Sequence, residues 1–223
     1  MAETTGPAMA TPGTTAVAVA DARTAKVGAL FRGGLEGKHF CTASVVDSPR
    51  RDLIVTAAHC VGDDHEELAF VPGYHDGQAP HGIWALEAVH VSGAWSKDSD
   101  PEADLAFVRL APLEGREIQD VVGAAPLGRE EDAAPVTVVG YPNSREAPLT
   151  CTNVIAAHGA MHRRIHCPAY SSGTSGSPWL HPTGAIVGIL GGHEGGGILP
   201  DISYGTVLDD RAMELYQRAV QQR

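Results

Sequence analysis

No stretch of the chain reaches the roughly 18 consecutive apolar residues that a membrane-spanning helix needs, so no membrane is expected among its partners. Positive charge is scarce, with 16 Lys and Arg against 27 Asp and Glu and a formal charge of −11. An acidic surface repels phosphate backbones, which removes nucleic acid from the expected partners. Four cysteines are present, and none of them forms a CxxC pair. A zinc ribbon or a thioredoxin-like redox site is therefore not expected. The opening MAETTGPAMATPGTTAVAVA lacks the basic and apolar regions of a signal peptide. Helical periodicity is missing from nearly the whole length. Disorder is excluded in turn, because 43% hydrophobic and 19% charged residues supply a core without strong self-repulsion.

What is present in quantity is turn chemistry: 26 Gly and 15 Pro punctuate short apolar runs. The runs include VGALF (27–31), HFCTASVV (39–46), DLIVTA (52–57), ELAFV (67–71), IWALEAVHV (83–91) and DLAFVRL (104–110). VTVVGY (136–141), TCTNVIA (150–156), PWL (178–180), AIVGIL (185–190) and SYGTVL (203–208) follow. Runs of this length with β-branched content are strand signals. Many of them without intervening helices predict a sandwich or a barrel. Residues 1–25 read as a tail or processed leader, and 111–134 as the connection between two halves. In 209–223, Ala212, Leu215, Tyr216, Ala219 and Val220 recur at three- and four-residue spacing behind Asp209 and Asp210, which predicts an amphipathic C-terminal helix.

The segment GTSGSP (173–178) sets Ser175 among glycines. Such a loop can expose a hydroxyl and aim successive N–H groups at one point, as stabilising an oxyanion requires; a plain turn is the other reading. A serine nucleophile needs a base beside it. Of eleven histidines, His59 in TAAHC stands at the end of an apolar run next to a cysteine; alone it reads equally as a buried structural histidine. Asp104 opens the run DLAFVRL, where it could orient an imidazole or simply start a strand. The four cysteines are compatible with two disulfides or with four reduced thiols.

FCTASVV…LIVTAAHC, then DLAFVRL, then GTSGSP, in the order His, Asp, Ser, resembles the trypsin/chymotrypsin-like serine peptidases from about Val27 to the C-terminal helix. The GTSGSPW variant is most similar to a secreted bacterial branch that includes glutamyl endopeptidase-like enzymes. The resemblance implies an all-β fold of two six-stranded antiparallel barrels with a short C-terminal helix. The first barrel would span 26–118 and carry His59 and Asp104; the second, 119–223, would carry Ser175. His59 would serve as general base and then acid, Asp104 as its orienter and Ser175 as nucleophile, with the N–H groups of Gly173 and Ser175 as oxyanion hole. Sequential disulfides are expected, Cys41 with Cys60, matching the bridge at the family's histidine loop, and Cys151 with Cys167. Bridges imply an oxidising compartment, so a secreted monomer is expected, with its export signal removed. It would act on polypeptides without cofactor or metal.

The departures from the family pattern concern detail. Thr174 stands where the animal digestive enzymes carry an Asp that pairs with a freshly cut amino terminus. Gly191 stands where many relatives carry a serine that supports the triad Asp, so support for Asp104 is expected from elsewhere. The substrate pocket is expected near Ala169, Tyr170, Gly191, Gly192 and His193. Ala169 is no acid and Leu190 replaces the histidine of the glutamyl enzymes, so an apolar or small side chain is the preferred occupant. His193 would favour glutamate and Asp201 a basic residue.

Other classes fit less well. An α/β-hydrolase needs Gly where Ser177 sits and an acid between Ser175 and a later histidine, which is missing. A metal-binding module could use His158, His162 and His166 beside Cys167, but their surroundings lack the usual ligand pairs. DDHEE (63–67) reads as a calcium loop or a solvated acidic turn. A catalytically silent, peptidase-like binding protein shares all the residue types.

Overall fold

A three-residue strand, β1 (Thr15–Val17), comes first, and the two main sheets follow it. The first contains β2 (Val27–Arg32), β3 (His39–Val45), β4 (Leu53–Thr56), β5 (Leu68–Pro72), β6 (Trp84–Val91) and β7 (Ala106–Leu110). These six close into an antiparallel barrel in the order β2-β3-β4-β7-β6-β5. Every side chain of β4 and β7 is buried, which is why LIVT and AFVRL read as near-continuous apolar runs without alternation. The computed structural model describes residues 11–62, 65–129, 134–159, 162–199 and 201–222. The first ten residues and Asp63 and Asp64 of the acidic run therefore lie outside it.

The second sheet contains β8 (Pro135–Gly140), β9 (Leu149–Val154), β10 (Ala156–His158), β11 (His162–His166), β12 (Pro178–Leu180), β13 (Ile186–Leu190) and β14 (Ile202–Val207). It runs β1-β9-β8-β12-β13-β14-β11-β10. Where a six-stranded barrel was expected, β1 and β10 extend the sheet to eight strands. Within 1–25, Ala16 lies opposite Thr150 in β9, and Asp21 Oδ1 accepts the Thr24 N–H at 2.8 Å. Short polar-threonine stretches carry no periodicity, so pairing across 130 residues could not be anticipated from them. The run read at 150–156 divides into β9 and β10, and β11 (HRRIH) is absent from the expected runs because its charges hide the strand pattern.

Register places the chemistry. Thr56 at the end of β4 lies opposite Ala106 at the start of β7, so the chain leaving β4 toward His59 meets the chain arriving from Asp104. One apolar core fills the closed barrel and continues through Val139, Tyr141, Leu180, Ile186 and Ile189 to the C-terminal helix. A smaller core lies inside the second sheet around Trp179, Tyr170, Val138 and Leu149. The disulfides are Cys41–Cys60 and Cys151–Cys167, the sequential pairing. The helix spans Asp210–Gln221, with the Asp209 carboxylate accepting from Ala212 N–H at 3.0 Å. A further helix, Gly93–Asp98, capped by Ser92, is too short to leave a periodic signal.

Candidate active site

After β4 the buried Ala57 and Ala58 lead into a tight turn, Ala58–Cys60, that carries His59. The Asp104 carboxylate is 2% exposed. Its Oδ1 accepts the His59 backbone N–H at 2.9 Å, and its Oδ2 accepts from His59 Nδ1 at 2.7 Å. Gly192 N–H donates to the same Oδ2 at 2.7 Å. Burial pushes the Asp104 carboxyl up, but the hydrogen bonds and charge of His59 and the N–H of Gly192 outweigh it and hold the group below the ordinary carboxylate range. With Nδ1 donating to the carboxylate, the neutral ring leaves Nε2 as an acceptor. The support expected for Asp104 from elsewhere is thus the peptide of Gly192. A Cβ on Gly191 would lie 3.0 Å from Asp104 Oδ2, so a larger residue there would crowd the carboxylate.

Ser175 lies on a loop whose carbonyls are tied down one after another. Ser171 O accepts from Thr174 Oγ1 at 2.7 Å, and Ser172 O from Asn143 N–H at 2.8 Å. Gly173 O accepts from Thr42 Oγ1 at 3.1 Å. Thr174 O accepts from Ser177 Oγ at 2.6 Å, and Ser175 O from Thr42 N–H at 2.8 Å. In a trans peptide the N–H opposes its C=O, so fixing these oxygens fixes where the intervening N–H groups point. Among the described residues, the N–H groups of Gly173 and Ser175 have no acceptor. Gly173 and Gly176 take φ of +99° and +82°. A side chain at 176 would meet Thr42 O of the barrel at 2.1 Å, and one at 173 would meet the Asn143 nitrogen of the same half of the chain at 2.4 Å, so close backbone approach requires glycine at both. Ser175 Oγ donates to Gly195 O at 3.4 Å.

His59 and Ser175 line one cavity of about 330 Å³, together with Phe40, Tyr170, Leu190 and the Glu194–Gly197 turn. Of the residues expected at the pocket, Tyr170 lines it, with its hydroxyl turned to Val138 O at 2.8 Å. Gly192 contacts Asp104 instead, and Gly191 donates to Tyr204 O. The His193 ring lies 4.6 Å from those of His158 and Tyr204. Ala169, Gly191, Gly192, His193 and Asp201 are not among the lining residues. A larger cavity, about 560 Å³, lies between the 17–25 segment and Tyr74, Tyr141 and Pro148, and contains neither His59 nor Ser175.

His158 and His162 face each other across β10 and β11, whereas His166 pairs with Ile202 at the far end of β11. The three do not converge on a point. Among the described residues, the ligand atoms that do converge belong to Cys41, His59 and Cys60, and both sulfurs there are consumed by the disulfide. Sequence reasoning missed Thr42, Thr56, Asn143 and the Glu194–Gly197 turn. The first three act through hydrogen bonds that no motif announces; the run of glycines at 195–197 was a visible signal.

A family model described as a trypsin-like peptidase domain matches residues 41–189. No curated protein matches the chain in sequence. Among solved structures, the protease Anisep from Arthrobacter nicotinovorans is 21% identical with a TM-score of 0.79, covering 94% of this chain and all of its own. The thermostable serine protease AL20 from an extremophilic microorganism is 26% identical with a TM-score of 0.78, covering 91% of this chain and all of its own. A Glu endopeptidase in complex with MPD is 19% identical with a TM-score of 0.75, covering 95% of this chain and 98% of its own.

Proposed function

The chain belongs to the trypsin-like peptidase family, and from that premise we propose that it is a secreted serine endopeptidase working through Ser175, His59 and Asp104. The observation that carries this reading is the pairing of His59 Nδ1 with the buried Asp104 carboxylate at the edge of a cavity that Ser175 also lines. The Ser175 hydroxyl turns from Gly195 O to His59 Nε2 and passes its proton there as Oγ attacks the substrate carbonyl carbon. The N–H groups of Gly173 and Ser175 hold the oxyanion that forms. The imidazolium, steadied by Asp104, then protonates the leaving amine, and an acyl-enzyme remains. Water, deprotonated by the same imidazole, releases the acid and restores Ser175. A substrate side chain enters between Tyr170 and the bare backbone of Gly195–Gly197, beside Leu190, which suits an apolar or small group. The residues expected at 26–118 and 119–223 act as two units meeting at this cavity, in a monomer that needs no cofactor. Two disulfides support export to an oxidising compartment.

A fluorophosphonate probe tests the proposal. It should label Ser175 in the native protein and leave Ser175→Ala unlabelled and His59→Ala nearly so, while mass spectrometry of a digested unfolded protein should show internal cleavages. An unlabelled native protein would instead mark a silent, peptidase-like binder.

A further inference from the structure

We propose that Thr42, on β3 of the closed barrel, is a positioning residue that sets the register between the Ser175 loop and His59. The inference rests on the reading of Ser175 as nucleophile. Thr42 is 0% exposed, and each of its polar groups is committed. Its N–H donates to Ser175 O at 2.8 Å. Its hydroxyl donates to Gly173 O at 3.1 Å and accepts the Tyr141 N–H at 2.9 Å. Its carbonyl accepts from Thr56 Oγ1 at 2.8 Å. Thr56 ends β4, just ahead of the turn that carries His59.

One residue therefore holds two carbonyls of the Ser175 loop with one hand and the strand leading to His59 with the other. The remaining anchors of that loop, Asn143, Ser177 and Thr174, all belong to the second sheet's half of the chain. Among the described residues, Thr42 is the barrel residue whose N–H and hydroxyl donate to the loop, while the Cys60 sulfur, spent in its disulfide, lies 3.9 Å from Ser175 O. The Thr42 hydroxyl has a single proton, so donation to Gly173 O and acceptance from Tyr141 N–H fix its direction. Close approach makes the clamp stiff: a Cβ at Gly176 would meet Thr42 O at 2.1 Å, Thr56 Oγ1 at 2.3 Å and Ala57 N at 3.1 Å. Without the hydroxyl, Gly173 O and Tyr141 N–H are buried without a partner, and a shift of the loop relieves that cost. Such a shift moves Ser175 Oγ and the Gly173 N–H relative to His59 Nε2.

The test compares Thr42→Val, which keeps the branched shape and the backbone N–H, with Thr42→Ser, which keeps the hydroxyl. With a fluorogenic peptide substrate, kcat should fall about 10- to 100-fold in Thr42→Val while KM stays within about threefold. The rate of fluorophosphonate labelling should fall in proportion, and so should affinity for a peptide aldehyde that forms the tetrahedral adduct. Thr42→Ser should recover kcat to within about threefold of native. A merely structural role would lower thermal stability in Thr42→Val without this split between kcat and KM. If circular dichroism shows Thr42→Val unfolded, Thr42→Ser and Thr42→Ala take its place: a kcat gap of about tenfold or more between them sustains the clamp, and equal values overturn it. Native kcat in folded Thr42→Val, or equal loss in Thr42→Val and Thr42→Ser, overturns it as well. A native protein that takes no label defeats the nucleophile reading itself, whereas a labelled native protein alongside an unimpaired Thr42→Val defeats this inference alone.

Discussion

The closed barrel delivers side chains to the cavity, His59 and Asp104 from the ends of β4 and β7, whereas the eight-stranded sheet delivers mostly backbone. From the second half come one hydroxyl, Ser175, the N–H groups of Gly173 and Ser175, the N–H of Gly192 on Asp104, and the Gly195 carbonyl that accepts the Ser175 hydroxyl's hydrogen bond. Around the cavity, Gly191, Gly192 and Gly195 to Gly197 have positive φ, as does Glu194, and the Ser175 loop adds Gly173 and Gly176. A side chain can be held by a rigid strand end, but a backbone group can be aimed only by choosing the conformation of the chain. Glycine makes those conformations accessible without strain. In the proposed mechanism, one unit thus supplies acid–base groups, and the other supplies the nucleophile and the shape around it.

The sharpest way to break that division is to remove one contribution from each unit. Ser175→Ala and His59→Ala should each lower kcat by about 10⁴-fold or more, and the double variant should lose no more than either. Additive losses would mean that the two units act independently. The disulfides separate the units by a different measure. Cys41–Cys60 and Cys151–Cys167 close loops of similar separation, 19 and 16 residues, so loop entropy gives each about 3 kcal/mol. Replacing both partners by Ser in either pair should lower the unfolding free energy by about that amount. Only the first pair flanks His59 and Thr42, so only its loss should also depress kcat in the folded protein. Equal kcat losses in both variants would contradict the division.

Gly192→Ala attacks the backbone contribution directly. Its φ is +75°, and a Cβ would lie 2.4 Å from His162 Nε2 and 2.8 Å from Pro101 O. The peptide must rotate, and Asp104 loses a donor. A kcat loss of about 10²-fold, with KM little changed, is expected from steady-state kinetics.

The side chains at the cavity were legible in the sequence because they are residue types: TAAHC and DLAFVRL of the closed barrel name an imidazole and a carboxylate, and GTSGSP of the second half names a hydroxyl. The strands of that barrel were legible for a related reason, since β2 to β7 are nearly continuous apolar runs between turn residues. The second sheet was harder to read. β11 presents His, Arg, Arg, Ile and His, of which His162 is buried and meets the His193 ring at 6.1 Å, and such a segment looks like loop. Gly192 could not be singled out as the support of Asp104, because what matters is the direction of an N–H, and every residue but proline has one. Thr42 was hidden among β-branched strand residues that would be there for packing alone.

Acid titration probes a buried group to which both units donate. The Asp104 carboxyl is held below its ordinary value, so its folded pKa lies under an unfolded value of about 3.9. A depressed folded pKa contributes stability that is fully present above the unfolded value and is lost as pH falls through the folded one. Urea unfolding between about pH 5 and 2 should therefore show a steep loss of stability, part of which disappears in Asp104→Asn. An unchanged slope in that variant would mean that other carboxylates carry the acid sensitivity.

The smallest effect concerns where the division between the units falls. By position in the chain, the C-terminal helix follows the second sheet, yet beside the pairing of Asp210 with Arg129 it makes these contacts with the barrel. Tyr216 meets Phe107 of β7 edge-on at 5.6 Å and donates to Asp47 O at 2.8 Å. Arg109 of β7 reaches Gln222 O at 2.8 Å. Ala212, Leu215 and Ala219 are buried in the same core as the barrel. Asp209→Ala removes the cap on Ala212 N–H and should cost about 1 kcal/mol. If the helix belongs energetically to the barrel, hydrogen exchange in that variant should quicken in β6 and β7, and the β8–β9 pair should exchange as before. The reverse pattern would hand the helix back to the second sheet, and the boundary between the units would then follow the order of the chain.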